Sequence, residues 1–376
     1  MKIQTLVADF TRQLWQAIGA QAASVGTLGV QSARYQEPGG LTTPDPMALY
    51  QALNTLAIKG VDHVAVEASS HGLDQFRLDG MRLQAAGFTN LTRDHMDYHR
   101  TEQGYFYAKA RLFGDLLGPN GTAVVNIDDP WGCIIEDIAW ARGVSLITIG
   151  RHEEATLRLL EQAVTPQGQV LDVAFCGARY RIDLPLVGEF QAHNALMAAG
   201  LVIATGSEAG SVLKALEALK GVPGRMELIG TTRSAGAVFV DYAHTPDGLQ
   251  TVLKAARTHK PQSLHVVFGC GGDRDAGKRP QMGQIAANLA DHVYVTDDNP
   301  RSEDAAAIRQ DIMVACPSAQ EIGDRRSAIE AAITALGAGD MLIVAGKGHE
   351  AVFGHWGCAG YSGQHKRGDW GLNYGF

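Results

Sequence analysis

Residues 63–70, HVAVEASS, contain the first of several short apolar runs that end in small or polar residues. Similar runs follow at 85–91 (AAGFTNL), 121–129 (GTAVVNIDD) and 144–150 (VSLITIG). Helical stretches such as 105–117 separate them, and strands that alternate with helices predict a doubly wound, mostly parallel α/β sheet. Residues 155–185 break this rhythm with short alternating segments, which favour antiparallel hairpins.

A second group of apolar runs follows the Gly- and Pro-rich stretch KGVPGRMELIG at 220–230. These runs are GAVFVDYA, LHVVFGCGG, DHVYVTDD and DMLIVAGKG. They predict a C-terminal Rossmann-like α/β domain with ligand groups at the carboxyl ends of its strands. We therefore expect a central domain at 1–222, a C-terminal domain at 223–350 and an atypical tail at 351–376.

The composition favours a globular protein and argues against several other classes. The 376 residues are 45% hydrophobic and 19% charged, which suits two globular domains. The net charge of -8 argues against a nucleic-acid-binding face, and the five cysteines lack the spacing of a disulfide framework or a zinc site. Without a secretory leader or a run of about 20 apolar residues, we expect a cytoplasmic protein with no membrane span.

The first candidate site combines EASSHG at 67–72, TRDHMDYH at 92–99 and YAKARLF at 107–113. Glu67 and His95 follow predicted strands, and a carboxylate with an imidazole can hold a divalent cation. Lys109 lies on an apolar helix face, where an ammonium is costly unless it is paired or chemically altered. A hydrogen-bonded structural histidine and a snorkelling lysine remain the alternatives.

The second candidate site combines GEFQAHNALMA at 188–198 with VPGRME and VFVDYAHTPDGL further along. The Asn194 amide can pair with an adenine edge, and the Arg225 guanidinium offers a fork for phosphate. Asp241, at the end of a strand, can accept from ribose hydroxyls. A helix cap and a turn residue are the alternatives for Asn194 and Asp241.

The third candidate site lies in GCGGDRDAGKRP at 269–280, DDNPRSE at 297–303 and AGKGHE at 345–350. Arg274 and Arg301 suit bidentate recognition of carboxylates, and Glu350 can hold an ammonium. This mixture of charges fits an amino acid that carries carboxylates and amines at both ends. The alternative is that DDNPR forms only a capped turn.

Taken together, over about residues 7–350, these motifs resemble the Mur ligase family. The resemblance implies a central ATPase-like domain and ATP and Mg²⁺ as cofactors. It also implies that Glu67 and His95 bind magnesium. Lys109 would be carbamylated and would bind a second magnesium ion, so these three residues form the catalytic group.

The resemblance also implies the substrates. DNPR is typical of family members that select meso-diaminopimelate, and Arg301 is the discriminating position. The remaining diaminopimelate-binding positions fall on Arg274, Asp298, Asn299, Pro300, Gly346 and Glu350. Binding of the second substrate, UDP-MurNAc-L-Ala-D-Glu, falls on Thr42, Thr43, Ser69, Gln75 and Arg77.

Two segments depart from the family pattern. The family has a Gly-rich phosphate loop before the helix that here reads VADFTRQLW, whereas this chain has MKIQTL there, and the tail after Glu350 is also atypical. We therefore expect either a monomeric ligase of impaired activity or a remnant that only binds ligand. A ligase of the folylpolyglutamate synthetase type is the further alternative.

Overall fold

The computed structural model describes residues 3–91, 96–165, 168–222 and 224–346. The chain divides into two compact units between Lys220 and Gly221. His95, Glu350 and the tail at 351–376, which the sequence analysis singled out, lie outside the described residues.

The first unit alternates helices and strands along most of its length. Its helices are α1 (Ile3–Ala17), α2 (Pro46–Ile58), α3 (Ser70–Asp74), α4 (Met96–His99), α5 (Glu102–Arg111), α6 (Pro130–Ala141), α7 (Phe190–Ala204) and α8 (Ala209–Ala215). Its strands are β1 (Ala22–Gly26), β2 (Gly29–Ser32), β3 (Gln36–Glu37), β4 (His63–Val66), β5 (Leu83–Phe88), β6 (Leu117–Asn126), β7 (Ser145–Gly150), β8 (Leu157–Thr165), β9 (Gly168–Phe175) and β10 (Ala178–Leu184).

These strands form two sheets. One has the order β3-β2-β1-β4, and the other has the order β10-β9-β8-β7-β6-β5. Pairing is parallel from β5 to β8 and between β1 and β4, whereas β8, β9 and β10 pair antiparallel. The α/β class and the hairpins at 155–185 are thus confirmed.

The helix predicted at 105–117 differs from the observed one at both ends. It begins earlier, because the Thr101 hydroxyl accepts from the Gly104 N–H at 3.0 Å and caps α5. After Arg111 the helix continues as a π-helical turn, Leu112–Leu116. The apolar pattern runs through both parts, so the pattern does not reveal the change of hydrogen bonding.

The second unit contains one sheet with helices packed against it. Its strands are β11 (Glu227–Thr231), β12 (Ala237–Asp241), β13 (Leu264–Phe268), β14 (His292–Val295), β15 (Gln320–Glu321) and β16 (Met341–Ala345). Its helices are α9 (Pro246–Thr258), α10 (Lys278–Leu289), α11 (Ala305–Met313) and α12 (Arg325–Thr334). The sheet order is β11-β12-β16-β13-β14-β15, with only β11 antiparallel, which confirms the Rossmann-like prediction.

The second sheet shows the burial that is typical of parallel sheets. Every residue of β13 and β16 is buried, as expected for continuous apolar strands that helices cover on both faces. Among the described residues, no helix is long and apolar enough to cross a membrane.

Candidate active site

Glu67 directly follows β4 and is almost fully buried, with 2% of its surface exposed. One carboxylate oxygen accepts from the Thr5 hydroxyl at 2.9 Å. The other accepts from the backbone N–H and the hydroxyl of Thr27 at 2.9 and 3.0 Å. Gly26 permits this approach, since a Cβ there would lie 2.6 Å from the same carboxylate oxygen. The carboxylate is therefore held in one orientation.

Lys109 lies on α5 with 8% of its surface exposed. Its Nζ donates to the Asn90 carbonyl at 3.4 Å and stands 5.1 Å from the Tyr105 ring centroid and 5.9 Å from that of Phe88. The structure brings Lys109 and Glu67 onto the wall of one cavity of about 650 Å³. The Lys109 side chain is thus buried, with two aromatic rings and a backbone carbonyl among its neighbours.

Oxygen atoms lie close to the Glu67 and Lys109 side chains. The Glu67 carboxylate, the Thr5 and Thr27 hydroxyls and the Asn90 carbonyl are oxygen donors of the kind that Mg²⁺ prefers. Over the described ranges, no group of three or more His, Cys, Asp and Glu side chains suits a metal ion. His95, the predicted partner of Glu67, lies outside those ranges.

Hydroxyl and amide groups on two loops beside Glu67 form one network. Thr42 Oγ1 lies 3.1 Å from Thr27 Oγ1, and Thr43 Oγ1 donates to the Glu67 carbonyl at 2.7 Å and lies 3.0 Å from Ser69 Oγ. Arg77 donates to the Thr43 carbonyl at 2.7 Å and to Gln75 Oε1 at 3.1 Å. The five predicted substrate residues, Thr42, Thr43, Ser69, Gln75 and Arg77, are thus brought together.

Within this network the side chains differ in exposure. Thr43 is fully buried, and its hydroxyl also accepts from the Ser69 N–H at 2.9 Å. Ser69 caps α3 by accepting from the Gly72 N–H at 3.1 Å. Gln75 is exposed. Thr43 and Ser69 therefore fix the loops, and Gln75 presents a polar group to solvent.

Asn194 lies near the start of α7, 3% exposed, and its amide donates to Gln191 Oε1 at 3.2 Å. It lines a cavity of about 270 Å³ together with Asn90, Asp128 and His193. Asp128 and His193 were not predicted from the sequence. The signal for Asp128 was available, because the run GTAVVNIDD ends in two carboxylates at the end of β6.

Asp128 organises this cavity. It accepts from the N–H groups of Arg151 and His152 at 2.8 and 3.2 Å, and His193 Nε2 lies 3.0 Å from its carboxylate. Burial alone would raise the pKa of Asp128, but these hydrogen bonds outweigh it and hold the pKa below its usual value. The carboxylate is thus ionised and orients the His193 ring.

In the second unit, Arg225 lies just before β11, and Asp241 is the last residue of β12. Arg225 is 5% exposed, with its guanidinium 5.0 Å from the Tyr242 ring centroid. The Asp241 oxygens accept from the N–H groups of Met226 and Ala243, each at 2.8 Å. Burial raises the pKa of Asp241 despite these hydrogen bonds, so the carboxylate is held by the backbone at an energetic cost.

The DNPR segment follows β14 and joins the loop after β13. Arg301 has φ of 51°, and its Nη1 donates to the Gly272 carbonyl at 2.7 Å. The Gly272 N–H donates to the Asn299 carbonyl at 2.9 Å, and the Ser302 hydroxyl donates to Asp273 at 2.5 Å. A Cβ on Gly271 would lie 2.8 Å from Arg301 Nη1, so a larger residue there would displace the guanidinium. These hydrogen bonds therefore fix the Arg301 guanidinium.

The other described residues predicted for the diaminopimelate site lie on the loops that follow β13, β14 and β16. Arg274 is exposed, whereas Asp298 and Pro300 are partly buried. Gly346 follows β16 with φ of 93° and donates to the Asp241 carbonyl at 3.0 Å. The sequence analysis missed Arg325, which donates to the Ala345 carbonyl at 2.7 Å and whose pKa is lowered by burial.

Family models match most of the chain. The Mur ligase middle domain matches residues 4–202, and the Mur ligase glutamate ligase domain matches residues 224–348. A UDP-N-acetylmuramoyl-L-alanyl-D-glutamate--2,6-diaminopimelate ligase from Mesorhizobium japonicum is 55% identical, covering 92% of this chain and 72% of its own length. The protein of the same name from Chelativorans sp. is 54% identical, with the same coverage of both chains.

Solved structures agree with these matches. A UDP-N-acetylmuramoyl-L-alanyl-D-glutamate--2,6-diaminopimelate ligase superposes with a TM-score of 0.72 and 35% identity, covering 93% of this chain and 71% of that one. A Mycobacterium tuberculosis folylpolyglutamate synthase complexed with ADP superposes with a TM-score of 0.68, covering 92% and 86%, but its 21% identity shows a shared fold alone. From its domains and its relatives alike, this chain belongs to the Mur ligase family.

Proposed function

We propose that this chain is an ATP-dependent ligase that joins meso-diaminopimelate to UDP-MurNAc-L-Ala-D-Glu in peptidoglycan synthesis. The main support is the fixed position of Arg301 in the DNPR loop. Its side chain donates to the Gly272 carbonyl, and its backbone N–H donates to Asn299 Oδ1. Relatives that are 50–55% identical bear the name of that ligase, which supports the same reaction here.

The proposed reaction has two steps. The terminal phosphoryl group of ATP passes to the D-glutamate carboxylate, which gives an acyl phosphate and ADP. The amine of diaminopimelate then attacks the acyl carbon, an amide bond forms, and phosphate leaves. Each step needs anionic groups held close together, so positioned cations and hydrogen-bond donors supply most of the catalysis.

Glu67, His95 and a carbamylated Lys109 are the proposed magnesium ligands. Magnesium, when bound, neutralises phosphate charge in the transition state. Thr5 and Thr27 orient the Glu67 carboxylate toward the shared cavity. Carbamylation would exchange the Lys109 ammonium for an anionic oxygen, which is the type of ligand that Mg²⁺ prefers.

The remaining roles are assigned by position in the motif. Asn194 is proposed to bind adenine, Arg225 phosphate and Asp241 the ribose. Thr42, Thr43, Ser69, Gln75 and Arg77 are proposed to bind the nucleotide-sugar peptide. Asp298, Asn299, Pro300, Arg274, Gly346 and Glu350 are proposed to complete the diaminopimelate site around Arg301.

The test is phosphate release from ATP by the purified chain with magnesium, bicarbonate and both substrates, against the same mixture without diaminopimelate. We expect release that requires diaminopimelate and a KM for diaminopimelate raised about a hundredfold in Arg301→Ala, since a charge-assisted pair is lost. Arg326→Ala is the matched control, because Arg326 is exposed on α12 and pairs with Glu330.

Other outcomes separate the alternatives. Diaminopimelate binding that is lost in Arg301→Ala, without any phosphate release, would indicate a protein that only binds ligand. Release that requires a folate and glutamate would indicate the folylpolyglutamate synthetase type. Either result would contradict the proposed reaction.

A further inference from the structure

The DNPR loop and the loop after β13 both contain strained backbone where they meet. Arg301 and Asp273 each have φ of 51°, a left-handed conformation that residues other than glycine rarely adopt. Ser302 joins the two loops, since its N–H and its hydroxyl both donate to the Asp273 carboxylate. Backbone strain of this kind persists only where neighbouring contacts hold it, and it is common at binding sites. The contacts that hold Asp273 therefore matter for the position of Arg301.

The two loops also approach each other closely. A Cβ on Gly272 would lie 1.9 Å from the Pro300 carbonyl oxygen, so a larger residue there would push the loops apart. Arg301 Nη1 donates to the Gly272 carbonyl at 2.7 Å. Among the described residues, Nε and Nη2 of Arg301 have no hydrogen-bond partner, so both can bind a ligand. The direction of these two groups thus depends on how the loop after β13 is held.

Glu303, at the end of the DNPR loop, connects that loop to the strained Asp273. One of its carboxylate oxygens accepts from the Asp273 N–H at 2.6 Å and from Arg279 Nη2 at 2.8 Å. The other oxygen accepts from the same Arg279 nitrogen at 2.7 Å. Arg279 and the Asp273 N–H hold the pKa of Glu303 below its usual value, so the carboxylate is ionised at neutral pH. Arg279 therefore holds Glu303, and Glu303 in turn holds Asp273.

Arg279 lies in the first turn of α10 with 3% of its surface exposed. Positive charge is unfavourable at a helix N-terminus, and burial of an arginine is unfavourable unless it is paired. Its Nη2 pairs with Glu303, and its Nη1 pairs with Asp311 of α11 at 2.9 Å. Nε is buried and has no hydrogen-bond partner among the described residues. The guanidinium thus meets two carboxylates at once, although one of its own N–H groups is left unsatisfied.

We propose that Arg279 is a positioning residue for the amino-acid substrate. Through Glu303 it clamps the DNPR loop against the loop after β13, and it thereby sets the direction of the Arg301 guanidinium. The inference rests on the proposed function, in which Arg301 binds a carboxylate of diaminopimelate. Because Arg279 is almost fully buried and paired, it acts through Arg301 rather than by touching the substrate.

Two conservative variants of the full chain break the clamp. Arg279→Lys keeps the charge but loses the fork that meets two carboxylates, and Glu303→Gln keeps the shape but loses the charge. We expect each to raise the Kd for meso-diaminopimelate, measured by calorimetry, about tenfold, because a small displacement of a binding group is costly. The KM for ATP should not change. If Arg279→Lys fails to fold, Glu303→Gln tests the same link at a partly exposed position.

A double variant tests whether Arg279 acts through Arg301. Arg279→Lys combined with Arg301→Ala should bind diaminopimelate no more weakly than Arg301→Ala alone, because the guanidinium that Arg279 positions is already gone. Amide hydrogen exchange at Gly272 and Asp273 should become faster in Arg279→Lys. Exchange at Val267, within the buried strand β13, should not change.

Arg257→Lys is the matched control. Arg257 of α9 pairs with Asp291 at 2.9 Å, just before β14 begins, whereas the DNPR loop follows the other end of that strand. This variant also breaks an arginine–aspartate pair of the second unit. It should leave both the Kd for diaminopimelate and the exchange at Gly272 and Asp273 unchanged.

Faster exchange at Gly272 and Asp273 without a change in Kd would show that the ion pair only stabilises the loop, and would overturn the proposal. So would unchanged exchange, or a loss in the double variant that equals the two single losses combined. A parent chain that fails to bind diaminopimelate would contradict the proposed function. A parent chain that binds it no more tightly than Arg279→Lys and Glu303→Gln do would contradict only the role of Arg279.

Discussion

The two units of the chain are built from similar apolar strands, yet their sheets differ in continuity. In the second unit six strands form one sheet, and its central strands β13 and β16 are buried along their whole length. In the described part of the first unit, ten strands fall into two sheets, and β4 at the end of one of them is only partly buried. Strands of similar apolar composition are therefore not buried to the same extent in the two units.

The candidate site residues reflect this difference. In the second unit, Asp241 and Arg301 are held by backbone groups of neighbouring loops. In the first unit, Glu67 and Lys109 lie on the wall of the cavity that separates the sheets. We expect substitution of Asp241 in the second unit to affect stability first, and substitutions at the cavity wall to affect catalysis first.

The largest effect is expected for Lys109→Ala in the first unit. Loss of the proposed anionic ligand should lower kcat/KM about a thousandfold, as removal of one electrostatic group in a water-poor site does. Steady-state phosphate release measures it. Lys214→Ala is the matched control, since Lys214 is exposed on α8 and pairs with Glu217. A loss of less than tenfold in Lys109→Ala would contradict a catalytic role.

A smaller effect, on stability, is expected for Asp241→Ala in the second unit. The N–H groups of Met226 and Ala243 would lose their acceptor, which costs about 3 kcal/mol of unfolding free energy for two buried donors. Asp241→Asn keeps one acceptor oxygen and should lose less. Urea unfolding measures both variants. Equal stability of Asp241→Ala and the parent chain would show that the backbone contacts do not hold this loop.

The smallest effect concerns pH and His265, which is 1% exposed and has no hydrogen-bond partner on either ring nitrogen among the described residues. Burial, together with the stacked His292 ring, lowers the pKa of His265, and Asp340 and Asp291 only partly oppose this. The unfolded chain therefore binds the proton more tightly. Stability is complete above the ordinary histidine pKa and falls as pH drops below it.

The free energy of unfolding should fall as pH drops below the ordinary histidine pKa, by at most about 1.4 kcal/mol per pH unit. Urea unfolding between pH 5 and 7.5 measures it, and His265→Leu should flatten the dependence. His152→Gln is the control, because His152 is exposed. An unchanged slope in His265→Leu would assign the pH dependence to other groups.

The fold class was predictable because each strand is a short apolar run that ends in polar residues, a local pattern that burial imposes. The hairpins at 155–185 were predictable for the same reason. The division into two sheets was not, because apolar patterning marks strands without stating which strands pair. Likewise, nothing in YAKARLF indicates that α5 ends in a π-helical turn.

The candidate site shows the same limit. The motifs brought forward Glu67, Lys109 and the DNPR loop, and the structure places these side chains in fixed, buried or loop-anchored positions. The carboxylates that end GTAVVNIDD gave a signal for Asp128 alone, but its pairing with His193 was not predictable because it joins residues that are far apart in the sequence. Long-range contacts of this kind carry no local signal.

Product analysis by mass spectrometry tests the central claim most directly. The chain is incubated with ATP, magnesium, bicarbonate and UDP-MurNAc-L-Ala-D-Glu, with either meso-diaminopimelate or L-lysine. We predict an amide product with diaminopimelate, little or none with lysine, and loss of the diaminopimelate product in Arg301→Ala but not in Arg326→Ala. A product with lysine in preference to diaminopimelate, or no product with either, would contradict the account.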